Sequence, residues 1–327
     1  MKTPERAAPE CGPHYSRALH TTGAGAAGVG LRVMAAFAFI GLGKMGLGMA
    51  GRLLDAGLRL SVYNRTASKA APLQERGARA CACPREACDG ADAVFVMTAD
   101  DSSSRAVWLG SEGILAARMS ADALAIECST LSHDWVLELA GEARRRSLRF
   151  LDAPVTGLPA DAARGALTLL VGADARDLES AAELFAPISQ RVIHFGAVGT
   201  GTAYKLMINM IGAVQIASIA EGLALAERAG LNFAAVLEAL SSGQAASPQV
   251  VRTARRIIAG DHDSNVVFTP QLRLKDIDYA LRLARELGVG APFGALAASS
   301  FRSLCELGFT RVNESRIIEV ARARAPE

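Results

Sequence analysis

The sequence predicts an α/β domain with a doubly wound, mainly parallel sheet, followed by an all-α domain built on one long interdomain helix. Between residues 35 and 198, short apolar segments alternate with segments of helical pattern. Such alternation is typical of a parallel sheet with helices on both faces. From Gly201 onwards only helical patterns follow. Half of the 327 residues are hydrophobic, which is enough to bury a core in each of two domains.

The elements of the first domain follow from apolar runs bounded by turn residues. The segment AAFAFI at 35–40 predicts the first strand, and a glycine-rich turn and a helix that ends near Gly57 follow it. Helices are expected near 131–147 and 174–186. The further predicted strands cover 58–64, 91–97, 123–129, 148–155, 166–173 and 191–198.

The second domain begins where glycines loosen the chain, at positions 196, 199 and 201. We place the boundary near Val198, so that the first domain covers 34–198 and the second covers 199–327. The apolar segment from Tyr204 to Ala226 predicts the long helix. Further helices are expected near 232–241, 248–258, 271–287, 291–306 and 312–323.

Two segments raise the question of targeting or membrane insertion. Residues 1–33 show no sustained periodicity and no apolar run like that of a signal peptide, so we expect disorder, with Met34 as an alternative start. The stretch from Tyr204 to Ala226 is long enough to span a membrane, but it carries polar residues such as Lys205 and Asn209, which are costly in lipid. We therefore expect a buried helix, no membrane span and a cytoplasmic protein.

Charge and cysteine content argue against two classes of partner. The chain carries 35 Lys and Arg against 33 Asp and Glu, a balance that argues against nucleic acid. Six cysteines lie at 11, 81, 83, 88, 128 and 305, and the three between 81 and 88 form a candidate metal site. A closed zinc site needs a fourth ligand, and no His or further Cys is near in sequence. We therefore predict reduced thiols and no metal.

A GxGxxG motif lies directly after the first predicted strand. The first glycine permits the tight turn, the second lets the backbone approach a pyrophosphate, and the third lets the helix pack closely on the strand. The helix N-terminus then presents its N–H groups to the phosphates. The motif predicts a Rossmann domain, with an incidental glycine turn as the alternative. The residues expected to bind the dinucleotide here are Gly41, Leu42, Gly43, Lys44, Met45 and Gly46.

The end of the second strand indicates which nicotinamide cofactor is used. An NAD enzyme usually carries an acidic residue there, which accepts hydrogen bonds from the ribose hydroxyls. This chain instead has Asn64, Arg65 and Thr66, and Asn64 lies 64 − 41 = 23 residues beyond the first glycine. A guanidinium can clamp a 2′-phosphate with paired charge-assisted bonds. The sequence therefore favours NADP over NAD, with Lys69 as a second cation; an exposed turn with an incidental Arg is the alternative.

Four motifs in order carry a family resemblance: FIGLGKMGLGMA, DAPVTG at 152–157, GTAYKLMIN at 201–209 and LKDIDYAL at 274–281. The chain resembles the β-hydroxyacid dehydrogenase family, which includes 3-hydroxyisobutyrate dehydrogenase, tartronate semialdehyde reductase and glyoxylate/succinic semialdehyde reductases. The resemblance covers residues 35–322. It implies reversible hydride transfer between NADP(H) and a small hydroxy acid or semialdehyde.

Lys205 and Asn209 are the candidate catalytic residues. They are four residues apart, so they share one face at the start of the long helix. A lysine in a partly desolvated cleft has a lowered pKa and can exchange protons near neutral pH. The resemblance implies that Lys205 is the proton donor and acceptor and that Asn209 holds the reacting oxygen or its neighbour. The alternative is a lysine that snorkels from the helix end beside a core asparagine.

The candidate substrate residues follow predicted strands. Thr156 and Gly157 lie where the family has Ser-Gly-Gly, which receives the substrate carboxylate, but Leu158 replaces the second glycine and should make the site narrower and more apolar. Ser129 and Thr130 also end a strand, and the resemblance places them near the nicotinamide and substrate. Their alternative role is to cap the helix that follows.

Further site residues come from the same resemblance. Lys275 is expected near the cofactor and the carboxylate, with Asp276 orienting the groups around it; an exposed ion pair is the alternative. Met97 and Thr98 are expected to pass under the ribose. His133 and His194 lie in no recognisable acid–base constellation and are interpreted as structural.

The sequence leaves two rival functions, an imine reductase and a non-catalytic NADP-binding protein on the same fold. Lys205 counts against the first, and the joint presence of Lys205, Asn209 and Lys275 counts against the second. The loop at 241–249 and Leu158 are expected to shape the choice of substrate. Because the long helix is apolar on almost every face, we expect a homodimer or a homotetramer built on helical-domain contacts.

Overall fold

The computed structural model describes residues 36–323. The expectation of disorder for residues 1–33 concerns a segment outside this range. Within the range, the fold class expected from the sequence is confirmed. A mostly parallel sheet with helices on both faces comes first, and helices alone follow it.

Nine strands and thirteen α-helices make up this part of the chain. The strands are β1 Ala36–Ile40, β2 Arg59–Tyr63, β3 Arg79–Ala80, β4 Ala93–Val96, β5 Leu124–Glu127, β6 Arg149–Asp152, β7 Val155–Thr156, β8 Leu167–Gly172 and β9 Ser189–Gly196. The helices are α1 Lys44–Asp55, α2 Ala71–Gln74, α3 Pro84–Cys88, α4 Asp101–Leu109, α5 His133–Arg145, α6 Pro159–Arg164, α7 Ala175–Phe185, α8 Thr200–Arg228, α9 Phe233–Ser242, α10 Pro248–Ile258, α11 Pro270–Glu286, α12 Pro292–Glu306 and α13 Ile318–Arg322.

The nine strands form one sheet in the order β3-β2-β1-β4-β5-β6-β8-β7, with β9 paired to β8. From β3 to β6 all neighbours are parallel, and Phe39 of β1 lies between Val62 of β2 and Phe95 of β4. The strand order reverses between β1 and β4. In open α/β sheets such a switch point is where ligands bind, beyond the carboxyl ends of the strands.

One predicted strand was wrong. The segment 148–155 was expected to be continuous, but it ends at Asp152 as β6 and resumes as the two-residue β7. Pro154 lies in the break and has no N–H for the ladder. The chain therefore turns, and both β6 and β7 pair antiparallel with β8. The short strand β3 was not predicted, because two residues give no periodicity to detect.

Separate apolar cores cover the two faces of the sheet. On one face the rings of Phe39 and Phe95 stack with centroids 6.0 Å apart, and Phe185 meets Phe95 edge-on. The other face holds the buried side chains of Trp108 and Trp135 among those of α4 and α5. A third core lies among the helices around α8. Burying these large side chains is the main favourable term in folding.

A buried carboxylate joins the long helix α8 to the sheet. Asp152, at the end of β6, accepts hydrogen bonds from the N–H of Gly199 at 2.6 Å and of Thr202 at 2.7 Å. These donors belong to the first turn of α8, whose unpaired N–H groups and positive dipole end favour an anion. Burial raises the pKa of Asp152, and the two N–H donors oppose that rise. Gly172 lies opposite, where a Cβ would come within 2.4 Å of the Asp152 carboxylate.

Helix α8 is also the one helix within residues 36–323 that is long and apolar enough, by length and composition, to cross a membrane. In this fold it packs against α10, α11, α12 and α13. A helix at the centre of a helical domain has the same length and composition. Only 28% of its 18-residue apolar window is buried within this chain, so the helix is partly covered rather than buried between protein layers as expected.

We expect Asp152→Asn to lower the free energy of unfolding by about 2–3 kcal/mol. The N–H groups of Gly199 and Thr202 each bind a separate carboxylate oxygen, whereas asparagine has one acceptor oxygen and an NH₂ group that would face the second N–H. The measurement is urea denaturation of the variant and the parent. Asp278→Asn is the matched control, since Asp278 is half-exposed and pairs with Arg302 at 3.3 Å. That substitution should cost less than about 1 kcal/mol. Equal losses in both variants would contradict a special role for the Asp152 carboxylate.

Candidate active site

The glycine turn is built as the motif requires. Gly41 has a φ of +98°, and a Cβ there would overlap the carbonyl oxygen of Met97 at 2.1 Å, so only glycine fits. A Cβ on Gly46 would lie 2.0 Å from the oxygen of Gly41. At Gly43, by contrast, a Cβ would meet nothing within 4 Å. The turn is therefore closed towards the sheet and open beside the N-terminus of α1, which suits a pyrophosphate.

Asn64 is tied to the protein itself. Its Oδ1 accepts from the N–H of Leu42 at 2.9 Å, and its Nδ2 donates to the carbonyl of Thr66 at 2.9 Å. The side chain thus fixes the glycine turn relative to the end of β2, a function that the sequence did not reveal. Arg65, Thr66 and Lys69 are exposed beside it. No acidic residue occurs from 63 to 66.

Residues at the ends of the neighbouring strands β4 and β5 contact each other. The hydroxyl of Ser129 accepts from the N–H of Thr98 at 2.7 Å and lies 3.1 Å from the Thr98 hydroxyl. Ser129 is buried, whereas Thr98 and Thr130 are partly accessible. The cap of α5 is Ser132 rather than Ser129 or Thr130, because the Ser132 hydroxyl accepts from the N–H of Trp135. The alternative capping role of Ser129 and Thr130 is therefore wrong.

The helical domain brings the predicted polar residues into one cluster. Asp276 is 1% exposed, and its Oδ2 accepts from Nδ2 of Asn209 at 2.6 Å, while its Oδ1 lies 3.0 Å from Nζ of Lys275. Lys275 in turn donates to the carbonyl of Thr130 at 2.6 Å. The cluster thus joins α8 and α11 to the loop after β5. The alternative of an exposed Lys275–Asp276 pair is wrong, because the carboxylate is buried.

Lys205 lies beside this cluster. Burial lowers the pKa of its ammonium to about 8; the Asp276 carboxylate opposes this shift, and the cations of Arg273 and Lys275 add to it. Among residues 36–323 the Lys205 ammonium has no hydrogen-bond partner. A lysine with this pKa carries a proton that it can lose or regain near neutral pH.

An ion pair that the sequence did not reveal supports the cluster. Arg273 and Glu314 are both buried and form two hydrogen bonds, at 2.7 and 3.1 Å. The same guanidinium donates to the carbonyl of Asn209 at 3.2 Å. Glu314 is 41 residues away in sequence, so no spacing rule could pair it with Arg273. The pair fixes α11 against the turn of α8 that carries Asn209.

The segment after β7 is accessible and has a cap of its own. Thr156, Gly157 and Leu158 are all exposed, and Gly157 has a φ of +136°. The N–H of Leu158 donates to the carboxylate of Asp161 at 2.7 Å. Among the described residues, no hydrogen bond joins Thr156 or Gly157 to the Lys205 cluster. The segment 156–158 therefore forms an open, solvent-accessible corner at the end of β7.

Further contacts hold the helical domain against the Rossmann domain. Arg282 of α11 pairs with Asp134 at 2.6 Å and with Asp101 at 3.3 Å. The hydroxyl of Tyr279 accepts from the N–H of Asp101 at 3.1 Å. Near the cofactor turn, the ammonium of Lys44 donates to the carbonyl of Val266. These contacts align α11 with the edge of the sheet where β4 and β5 end.

The histidines at 133 and 194 and the cysteines that the structure describes lie outside this cluster of polar residues. His194 lies 2.8 Å from the carbonyl of Ala173, a backbone contact that suits a structural histidine, and His133 packs beside Gly199. The cysteines at 81, 83, 88, 128 and 305 are free. Within residues 36–323 there is no group of three or more His, Cys, Asp or Glu that could hold a metal ion.

Two family models match the chain. The model described as the NAD binding domain of 6-phosphogluconate dehydrogenase covers residues 36–196. The model described as NAD-binding of NADP-dependent 3-hydroxyisobutyrate dehydrogenase covers residues 199–321.

The relatives agree with these models. The chain is 35% identical to an NAD-dependent L-serine dehydrogenase of Pseudomonas aeruginosa, over 84% of this chain and 94% of the relative. It is 32% identical to a 3-hydroxyisobutyrate dehydrogenase of the same organism, over 82% and 91% respectively. A solved structure of Mycobacterium tuberculosis 3-hydroxyisobutyrate dehydrogenase with L-serine has a TM-score of 0.80 and 28% identity, covering 89% of this chain and 100% of that one.

Fold, glycine turn and relatives together define an NAD(P)-dependent oxidoreductase that acts on CH–OH groups of hydroxy acids. The resemblance noted in the sequence is confirmed at the same time. The chain belongs to the β-hydroxyacid dehydrogenase family.

Proposed function

We propose that this protein is an NADP-dependent dehydrogenase that interconverts a small β-hydroxy acid and the matching semialdehyde, with Lys205 as proton donor and acceptor. The observation that carries the proposal is the environment of the Lys205 ammonium. It is half-buried, its pKa is lowered to about 8, and no residue between 36 and 323 accepts its hydrogen bonds. Its proton is therefore free to serve a ligand.

The reaction needs a proton at one oxygen. When bound, the nicotinamide supplies or accepts the hydride. Reduction of an aldehyde leaves a negatively charged oxygen, and Lys205 gives that oxygen its proton; in the reverse direction Lys205 removes it. Asp276 holds one N–H of the Asn209 amide, so the second N–H keeps a fixed direction and can donate to the same oxygen.

The residues proposed to bind the substrate lie at the carboxyl ends of the sheet strands. We place the substrate between Lys205 on one side and the loop of Ser129 and Thr130 on the other, with its carboxylate towards Thr156 and Gly157. Lys275 contributes a positive charge there and holds the Thr130 carbonyl. Leu158 is 39% exposed at this corner and favours an apolar substituent on the substrate.

NADP preference rests on the exposed cations after β2. Arg65 and Lys69 flank the turn that holds the ribose in this fold, and no carboxylate between 63 and 66 would repel a 2′-phosphate. Asn64 contributes by holding the glycine turn through Leu42 rather than by its charge. The residues proposed to contact the cofactor are Gly41, Leu42, Gly43, Lys44, Met45, Gly46, Asn64, Arg65, Thr66, Met97, Thr98, Thr130 and Lys275.

The two rival functions are less well supported. A non-catalytic NADP-binding protein would not need the buried Asn209–Asp276–Lys275 cluster beside an unpartnered lysine. An imine reductase would need a protonated substrate nitrogen, which the unpaired positive charge of Lys205 disfavours. Both readings predict no oxidation of hydroxy acids.

We further propose a cytoplasmic homodimer or homotetramer with the helical domain at the interface. Phe293 and Leu296 of α12 are 71% and 67% exposed, and Met207 and Ile211 of α8 are also exposed. Met210 packs on Gly294, so the two apolar surfaces adjoin. Monomeric proteins rarely leave such a contiguous apolar surface in water.

Purified protein should oxidise one or more of 3-hydroxyisobutyrate, glycerate, threonate and L-serine with NADP⁺ and reduce small semialdehydes or glyoxylate with NADPH. Oxidation should rise with pH through about 8, because Lys205 must be neutral to accept a proton, and reduction should fall over the same range. Lys205→Ala should lower kcat by about 10²–10⁴-fold. The assay is nicotinamide absorbance across pH.

Ser218→Ala, an exposed change on the same helix, is the control and should leave kcat unchanged. A Lys205→Ala protein that folds, by circular dichroism, and keeps full turnover would overturn the role of Lys205. Turnover of imines alone would favour the imine reductase.

Arg65→Ala should lower kcat/KM for NADP⁺ by about 10–100-fold and leave that for NAD⁺ nearly unchanged, because it removes charge-assisted bonds to the 2′-phosphate. Arg191→Ala, at an exposed position of β9, is the control. An unchanged ratio of the two cofactors after Arg65→Ala would contradict the assignment of NADP to this turn.

Light scattering should give a particle of two or four chains of 34.1 kDa each. Replacing both Phe293 and Leu296 by Glu should yield monomers, because two charges cannot be buried without partners. Leu109→Glu is the control, since Leu109 is exposed on the Rossmann domain. A monomeric parent protein would refute the proposed interface.

A further inference from the structure

One buried carboxylate near the site has no part in the chemistry proposed above. Glu127 ends β5 and is 1% exposed. Its carboxylate accepts from Nε1 of Trp108 at 2.8 Å, from the hydroxyl of Ser104 at 3.2 Å and from the N–H of Ser129 at 3.0 Å. Burial raises the pKa of Glu127, and these donors oppose the rise. A carboxylate at this depth is tolerated only with such a set of donors.

The two oxygens of Glu127 serve different parts of the protein. Oε2 binds Trp108 and Ser104 of helix α4, and Ser104 in turn accepts from Nε1 of Trp135 at 3.0 Å. These contacts pack α4 and α5 on the sheet. Oε1 binds Ser129, in the loop after β5, through its backbone N–H, and a hydrogen bond from the Ser129 side chain also opposes the rise in the pKa of Glu127.

From Ser129 the contacts lead directly to the candidate active site. The Ser129 hydroxyl accepts from the N–H of Thr98, at the end of β4. The next residue, Thr130, accepts from Nζ of Lys275 through its carbonyl. The orientation of the peptide at Ser129 therefore determines the position of the Ser129 hydroxyl that binds Thr98. It also determines the position of the Thr130 carbonyl that binds Lys275.

We propose that Glu127 is a positioning residue of the cofactor site, which holds the loop of Ser129 and Thr130 in its binding conformation through Oε1. The inference rests on the proposed function in so far as it assumes that Thr98 and Thr130 face the cofactor. Glu127 touches neither cofactor nor substrate. It acts through Ser129.

Three variants separate this role from simple packing. In Glu127→Gln the one amide oxygen is expected to face Trp108 and Ser104, which both donate hydrogen bonds. The NH₂ group then faces the N–H of Ser129. Glu127→Asp keeps the charge, and an Asp accepts readily from the N–H two residues later, as in an Asx turn. Ser104→Ala removes a contact on the Oε2 side and leaves Oε1 untouched. Glu127→Gln removes the Ser129 bond, whereas the other two variants keep it.

The readout is the Kd of NADP⁺ by titration calorimetry, which needs no substrate. Glu127→Gln should weaken NADP⁺ binding by about tenfold, because a hydrogen bond to a charged group is lost and a donor is left facing a donor. Glu127→Asp and Ser104→Ala should stay within about twofold of the parent, since both keep the bond to Ser129.

Tryptophan fluorescence supplies a second signature. The chain has two tryptophans, and both donate into this network. Glu127→Asp and Ser104→Ala should therefore change the emission spectrum while NADP⁺ affinity is preserved. A structural role alone would move affinity and emission together.

An unchanged Kd in Glu127→Gln would overturn the inference. So would a loss of affinity in Ser104→Ala or Glu127→Asp equal to that in Glu127→Gln. If Glu127→Gln does not fold, a loss of NADP⁺ affinity in Ser104→Ala, which keeps the Ser129 bond, would still overturn the inference. A parent protein that binds NADP⁺ but turns over none of the tested hydroxy acids contradicts the proposed substrate and leaves this inference intact.

Discussion

The contact between Asp152 and the first turn of α8 is the constraint on which the rest of the molecule depends. It joins the end of a sheet strand to the helix that begins the second domain. Lys205 and Asn209 lie one and two turns further along the same helix. Because a helix is stiff, its anchored end fixes the height of both side chains above the sheet edge. The buried carboxylate thus links the fold of one domain to the chemistry available in the other.

A second attachment comes from α11, which is packed on α8 and tied to the elements that follow β4 and β5. Arg282 pairs with Asp101 and Asp134, in the first turns of α4 and α5, and Lys275 donates to Thr130 in the loop after β5. Two points of attachment define the relative orientation of the domains better than one. The candidate site lies between these attachments, so neither domain contains it alone.

Two buried carboxylates, Asp276 and Glu314, arrange the charges at the site. Asp276 lies against Lys275 and holds the amide of Asn209, while Arg273 is neutralised by Glu314. Lys205 is therefore the cation of the cluster without a carboxylate of its own among the described residues. Desolvation then outweighs the attraction of the Asp276 carboxylate, which is why the pKa of this lysine falls.

The sequence by itself determined most of the order of elements, although not β3 or the break between β6 and β7. It also determined the glycine turn and the identity of the polar residues, because these depend on local periodicity and on motifs of fixed spacing. Family membership followed from the same motifs. Only the tertiary structure decided which groups meet. Glu314 lies opposite Arg273 across 41 residues, Glu127 joins Trp108 to Ser129, and Asn64 holds the glycine turn. Such contacts depend on where whole helices and strands pack, and this cannot be deduced from the spacing of residues along the chain.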